Sequence, residues 1–98
     1  MSGKAAKVKL TEKQQEILKQ IARSFTAPRR LLQRAHLILL AFSGWLNVEI
    51  AKEVELDRRQ VGKWRSRWRA SFEALVAIEC RESQTALRRA IEDVLSDA

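Results

Sequence analysis

Residues 49–68 read EIAKEVELDRRQVGKWRSRW, and their reading decides the fold. Ile50, Ala51 and Val54 recur at helical spacing, and Val61, Trp64 and Trp68 do so again after a short break. Leu56 and Asp57 stand between the two runs, the aspartate as a good helix cap. A short helix, a tight turn and a second helix form the helix-turn-helix pattern. Small or apolar residues are required where the two helices cross. Ile50, Ala51, Val54, Leu56, Val61 and Trp64 meet that requirement, Ala51 because a larger side chain would hold the helices apart. Glu55 departs from it. The turn favours glycine there because the backbone becomes left-handed, and a glutamate costs about 1 kcal/mol.

Helical geometry sorts the second run into faces. At about 100° per residue, Val61, Trp64 and Trp68 fall on one side, with Arg59, Gly62, Lys63 and Ser66 opposite. Arg58, Gln60, Arg65, Arg67 and Arg69 lie on or near the flanks. This distribution suits a helix lying in a DNA major groove. Central Arg and Lys side chains reach guanine acceptors, and flanking arginines reach phosphates. Gly62 is unfavourable inside a helix by roughly 1 kcal/mol against alanine. On an outward face it would let the helix axis approach the bases. Glu49, Glu53 and Glu55 are expected to stay off the phosphates.

Working outward, the chain reads as helical almost throughout. Thr11 with Gln14 forms a capping box, and Ile17, Leu18, Ile21, Ala22 and Phe25 follow as an apolar stripe. The first helix is predicted over about 11–24. Thr26 is expected to cap a second helix with Pro28 in its first turn, ending before Gly44. Its segment Leu37–Phe42 is apolar all round and marks the central buried helix. Asn47 is the expected cap of the short third helix, which places Val48 among its apolar positions. The stripe of the fourth helix continues through Phe72 and Leu75 to around Glu79. Ser83 caps a last amphipathic helix bearing Leu87, Ala90, Ile91, Val94 and Leu95. Leu87, Ile91, Val94 and Leu95 are expected to cover the far half of the fourth helix, within one chain or across a dimer. Trp45 is expected to pack the corner between the second and third helices.

The 98 residues suit one small domain, with 46% hydrophobic residues for a modest core. No apolar run approaches the roughly 20 residues of a membrane span. A single cysteine, Cys80, excludes an internal disulfide, fits a reducing cytoplasm and is expected to be partly buried. His36 reads as a packed or surface histidine, since no Cys or His partners stand at ligand spacing. No cofactor, metal or small-molecule substrate is expected. The formal net charge of +7 is unevenly placed. Residues 57–70 carry six basic groups against Asp57, whereas 71–98 carry six acidic against three basic. Such asymmetry points to a polyanionic partner. Lys4, Lys7 and Lys9 make residues 1–10 a basic arm, either a minor-groove contact or a mobile tail. Arg29, Arg30 and Arg34, at the start of the second helix, either contact a phosphate or simply solubilise it.

The order of these pieces resembles the N-terminal domain of bacterial insertion-sequence transposases of the mariner-like superfamily. LTEKQ at 10–14, TAPRRLLQRAHLILLAFSGW at 26–45 and NVEIAKEVELDRRQVGKWRSRW at 47–68 carry the likeness, which spans about three-fifths of the chain. The proline–arginine helix start is its most specific part. Glu55 and Gly62 depart from the usual pattern. The resemblance implies recognition of the terminal inverted repeats of a mobile element. It also implies that the strand chemistry belongs to a separate catalytic domain absent here, so that the chain itself is not an enzyme.

The expected architecture is therefore all-α: a basic arm at 1–10, then one helical domain at 11–98 with the helix-turn-helix at about 47–69. Its core is homeodomain-like, with a long recognition helix and an extra C-terminal helix. The expected partner is double-stranded DNA, in the cytoplasm at the nucleoid, and a homodimer is left open. The predicted contacts are Arg58, Arg59, Gln60, Gly62, Lys63, Ser66 and Arg67, with Arg29 and Arg30 beside them. A free-standing transcriptional regulator of the same fold is the alternative, and a helical protein-interaction module a further one.

Overall fold

The computed structural model describes residues 8–96, which form five helices and no strand. They are α1 (Glu12–Ala22), α2 (Arg29–Phe42), α3 (Asn47–Val54), α4 (Arg58–Arg81) and α5 (Gln84–Val94). No helix among the described residues is long and apolar enough to cross a membrane.

Capping chemistry sets most of the boundaries. Gln14 N–H donates to Thr11 Oγ1 at 3.1 Å and Thr11 N–H donates to Gln14 Oε1 at 3.2 Å, the expected reciprocal pair. Gly44, at φ 97°, ends α2, and Ser83 Oγ accepts from Ala86 N–H to open α5. Thr26 is not the cap of α2. Pro28 disfavours helical backbone at Ala27, so the helix starts after the proline. Ser24 Oγ instead accepts the amides of Thr26 and Ala27, each at 3.1 Å. Nor does Asn47 cap α3, because it is already helical. Leu46 is the cap residue, and the Glu49 carboxylate accepts its N–H at 2.9 Å.

One core runs through the five helices. Ile17, Leu18 and Ile21 of α1 meet Ala35, Leu37, Ile38 and Ala41 of α2, then Ile50 and Val54 of α3. Val61, Trp64, Trp68 and Leu75 supply the α4 face. Leu87 and Ile91 of α5, with Leu95 at its C-cap, are buried against α4 and α1, so the far half of α4 is covered from within the chain. Four apolar residues are more exposed than expected, the first being Phe42, 41% exposed at the end of the run read as buried all round. α1 stops before Phe25, which is fully exposed, and Val48 also faces out. Trp45 stays 37% exposed at its corner.

Residues 8–10 of the arm are anchored to the core. Val8 is buried, and the Trp68 indole N–H donates to the Lys9 carbonyl at 3.0 Å. A buried indole donor needs an acceptor, and the backbone beside Val8 provides one. Lys4 and Lys7 lie outside the described residues.

Glu55 occupies the left-handed position expected of it, at φ 61° and ψ 43°. Its carboxylate pairs with Arg29, but both side chains are about 70% exposed (74% and 69%), so the pair contributes little. Glu55→Gly is therefore expected to raise the thermal midpoint, by relieving up to about 1 kcal/mol of backbone strain. A lowered midpoint in calorimetry would show that the ion pair outweighs that strain.

Candidate nucleic-acid interface

The interface is built from the angle that α3 imposes on α4. Ile50 and Val54 are buried against Val61 and Trp64, with Ala51 and Leu56 partly buried at the crossing. Leu56 N–H donates to the Ala51 carbonyl at 3.1 Å across the left-handed turn. Asp57 Oδ1 then accepts Gln60 N–H at 2.8 Å and starts α4 in a fixed direction.

With that frame set, Arg58, Arg59, Gln60, Lys63, Ser66 and Arg69 are exposed. Arg59, Lys63 and Ser66 fall within a helical arc of roughly 60° opposite the buried stripe. Arg58 and Arg59 make no ion pair or side-chain hydrogen bond among the described residues. Lys63 is less simply placed than its position on the helix implies. Its ammonium lies 5.1 Å from the centre of the Trp64 ring, drawn sideways by the π face rather than standing parallel to Arg59.

Gly62 also differs from its expected setting. It is half-buried toward α3, and a Cβ there would meet Asn47 Nδ2 at 3.8 Å. That is an ordinary contact distance, so the glycine lies at the α3 junction rather than on the outward face.

Two arginines expected on the flanks serve the fold. Arg65 is only 6% exposed and donates to the Trp45 carbonyl at 3.3 Å, tying the α2–α3 corner to α4. Burial holds its pKa below the ordinary arginine value. The signal was present in the spacing, since Arg65 stands four residues after buried Val61, on the same helical face. Arg67 is half-buried, with its guanidinium 5.3 Å from the Trp64 ring and Nη2 donating to the Asp93 carbonyl at 3.4 Å. Arg34 stacks at 4.1 Å over the same ring and donates to the Leu95 carbonyl at 2.8 Å. Trp64 thus sits among three cations, two of which hold the carbonyl end of α5.

The start of α2 supplies the remaining basic groups. Arg29 is exposed and pairs with Glu55, which places it beside the α3–α4 turn. Gln33 Nε2 donates to the Val54 carbonyl at 2.8 Å and fixes that approach. Arg30 is exposed at the rim of a shallow groove shared with Arg34, Glu92 and Asp93. The sequence reading missed both the Arg29–Glu55 pair and the clasp on α5, because each joins residues far apart in the chain.

No cluster of His, Cys, Asp and Glu suited to a metal occurs among the described residues. His36 is half-buried in a shallow groove with Arg29, Gln33 and Val54. Cys80 is exposed rather than partly buried.

Comparison with known protein families matches residues 33–81 to a helix-turn-helix domain. No curated protein and no solved structure matches the chain. The matched segment runs from within α2 through α3 to the last residue of α4, and it includes every residue of the crossing described above. The chain belongs to the helix-turn-helix domain family.

Proposed function

We propose that this protein binds duplex DNA in a sequence-specific manner, with α4 as the recognition helix in the major groove. The observation that carries the proposal is the exposed face of α4. Arg58 and Arg59 stand there without intramolecular partners among the described residues, on a helix whose opposite face is fully packed. In this reading Arg59 reaches base acceptors, Gln60 and Ser66 add polar contacts, and Arg58 and Arg69 reach phosphates. Arg29 and Arg30 extend the cationic surface to a neighbouring stretch of backbone. Arg67 acts indirectly, by clasping α5 against the recognition helix.

The biological setting proposed is recognition of transposon ends by a transposase-related protein. The three segments between Leu10 and Trp68 that resemble mariner-like transposases support it. The chain then supplies recognition, and a separate catalytic domain supplies strand chemistry.

The decisive experiment is selection of bound sites from a random duplex pool, followed by substitution. Arg59→Ala is expected to leave the melting curve unchanged and to lose about 1–3 kcal/mol of discrimination at one base pair. Trimming Arg67 to Ala instead weakens binding to selected and random duplexes alike. If Arg59→Ala discriminated as well as the parent, α4 would not be the reading element.

A further inference from the structure

Phe25 is the most exposed large apolar residue among the described residues, at 104% of its reference area. Its exposure is fixed by local structure. Ser24 Oγ accepts the amides of Thr26 and Ala27 and lies 3.3 Å from the Thr26 hydroxyl, so the backbone bends around the serine. Arg23 Nε donates to the Lys19 carbonyl on one side, and Pro28 opens α2 on the other. The far end of the loop is tied to the helix-turn-helix by the Arg29–Glu55 pair and by Gln33 on the Val54 carbonyl. Phe25 is thus carried at a set distance from the turn that launches Arg58 and Arg59.

The charge along the chain on either side of it is of one sign, although the Glu55 carboxylate reaches Arg29 from the α3–α4 turn. Between Glu16 and Glu49 the sequence holds no carboxylate, while Lys19, Arg23, Arg29, Arg30 and Arg34 all fall in that interval. An apolar ring carried on a basic stretch of chain suits a partner with a polyanionic rim and an apolar interior. Duplex DNA has both, as phosphates outside and stacked bases within. We infer that Phe25 is a wedge that enters the minor groove and partly unstacks one base step beside the site read by α4. Apolar wedges of this kind kink duplexes by displacing one base pair from the next. The inference rests on the DNA-binding reading of α4.

The test uses the full chain and a duplex from site selection, with 2-aminopurine placed at successive positions flanking the selected sequence. The parent is expected to raise 2-aminopurine emission at one step. Phe25→Ala should abolish that rise and weaken affinity about tenfold, as loss of one base–aromatic contact does. Its melting curve should not move, and Phe25→Leu should retain most of the effect. Phe25→Ala matching the parent in affinity and emission would overturn the wedge, and would leave the exposed ring to a protein partner. Arg59→Ala in the same assay separates the two readings. If it loses discrimination while Phe25→Ala matches the parent, α4 recognition stands and the wedge falls. If Arg59→Ala discriminates normally while Phe25→Ala loses the emission change, the wedge stands without α4 readout. A parent that binds no duplex overturns both.

Discussion

Trp68→Ala is expected to lose about 3–5 kcal/mol of stability, the range for deleting a buried tryptophan. A domain of this size has roughly 5–15 kcal/mol in all, so the substitution leaves it marginal. Trp68 is fully buried, and its indole N–H bonds the Lys9 carbonyl. The deletion therefore opens a cavity between α4 and the core and frees the Val8–Leu10 strap at the same time. Trp68→Phe separates the two contributions. It retains most of the apolar volume and loses the hydrogen bond, which costs about 1 kcal/mol. Urea denaturation of the three proteins checks both. A Trp68→Ala midpoint close to the parent's would mean that the cavity closes by repacking and that this face is not the centre of the core. Any loss of DNA binding by Trp68→Ala would be secondary to unfolding.

The features legible in the sequence were those set within one or two helical turns. The Thr11–Gln14 box, the Gly44 stop, the Asp57 and Ser83 caps and the unbroken stripe from Val61 to Leu75 are local. Each is fixed by backbone donors and side chains that are neighbours along the chain. Even the strained Glu55 was visible, because the turn demands a left-handed residue whatever occupies it. The misreadings came from a tertiary choice at Arg65 and from competing local signals between α1 and α2. Arg65 is buried because the Trp45 carbonyl and the α2–α3 corner close over it, and composition reads any arginine in a basic run as solvated. Phe25 continues the spacing of α1 but lies beyond its end, since Ser24 offers the backbone hydrogen bonds that compete with another helical turn. The start of α2 moved for the same kind of reason, a proline overriding a threonine.

The division of the basic residues into buried or clasped and exposed ones sets the size of the salt effect. Of the six basic residues in 57–70, Arg65 is buried and Arg67 is held on the α5 carbonyls, which leaves Arg58, Arg59, Lys63 and Arg69 exposed. Arg29 and Arg30 add two more exposed cations from α2. With Arg59 turned to the bases and about five phosphates neutralised by the others, the logarithm of the affinity should fall with the logarithm of salt at a slope of about −4.5. Between about 50 and 200 mM salt, that is a loss of several hundredfold. Gel shifts or anisotropy at four salt concentrations read the slope directly. Arg58→Ala and Arg69→Ala should each reduce it by about 1. Arg29→Ala should reduce it by less, because a phosphate must first displace Glu55 from that guanidinium. A flat response across the series would exclude counterion release, and with it a nucleic-acid partner for the basic face of α4.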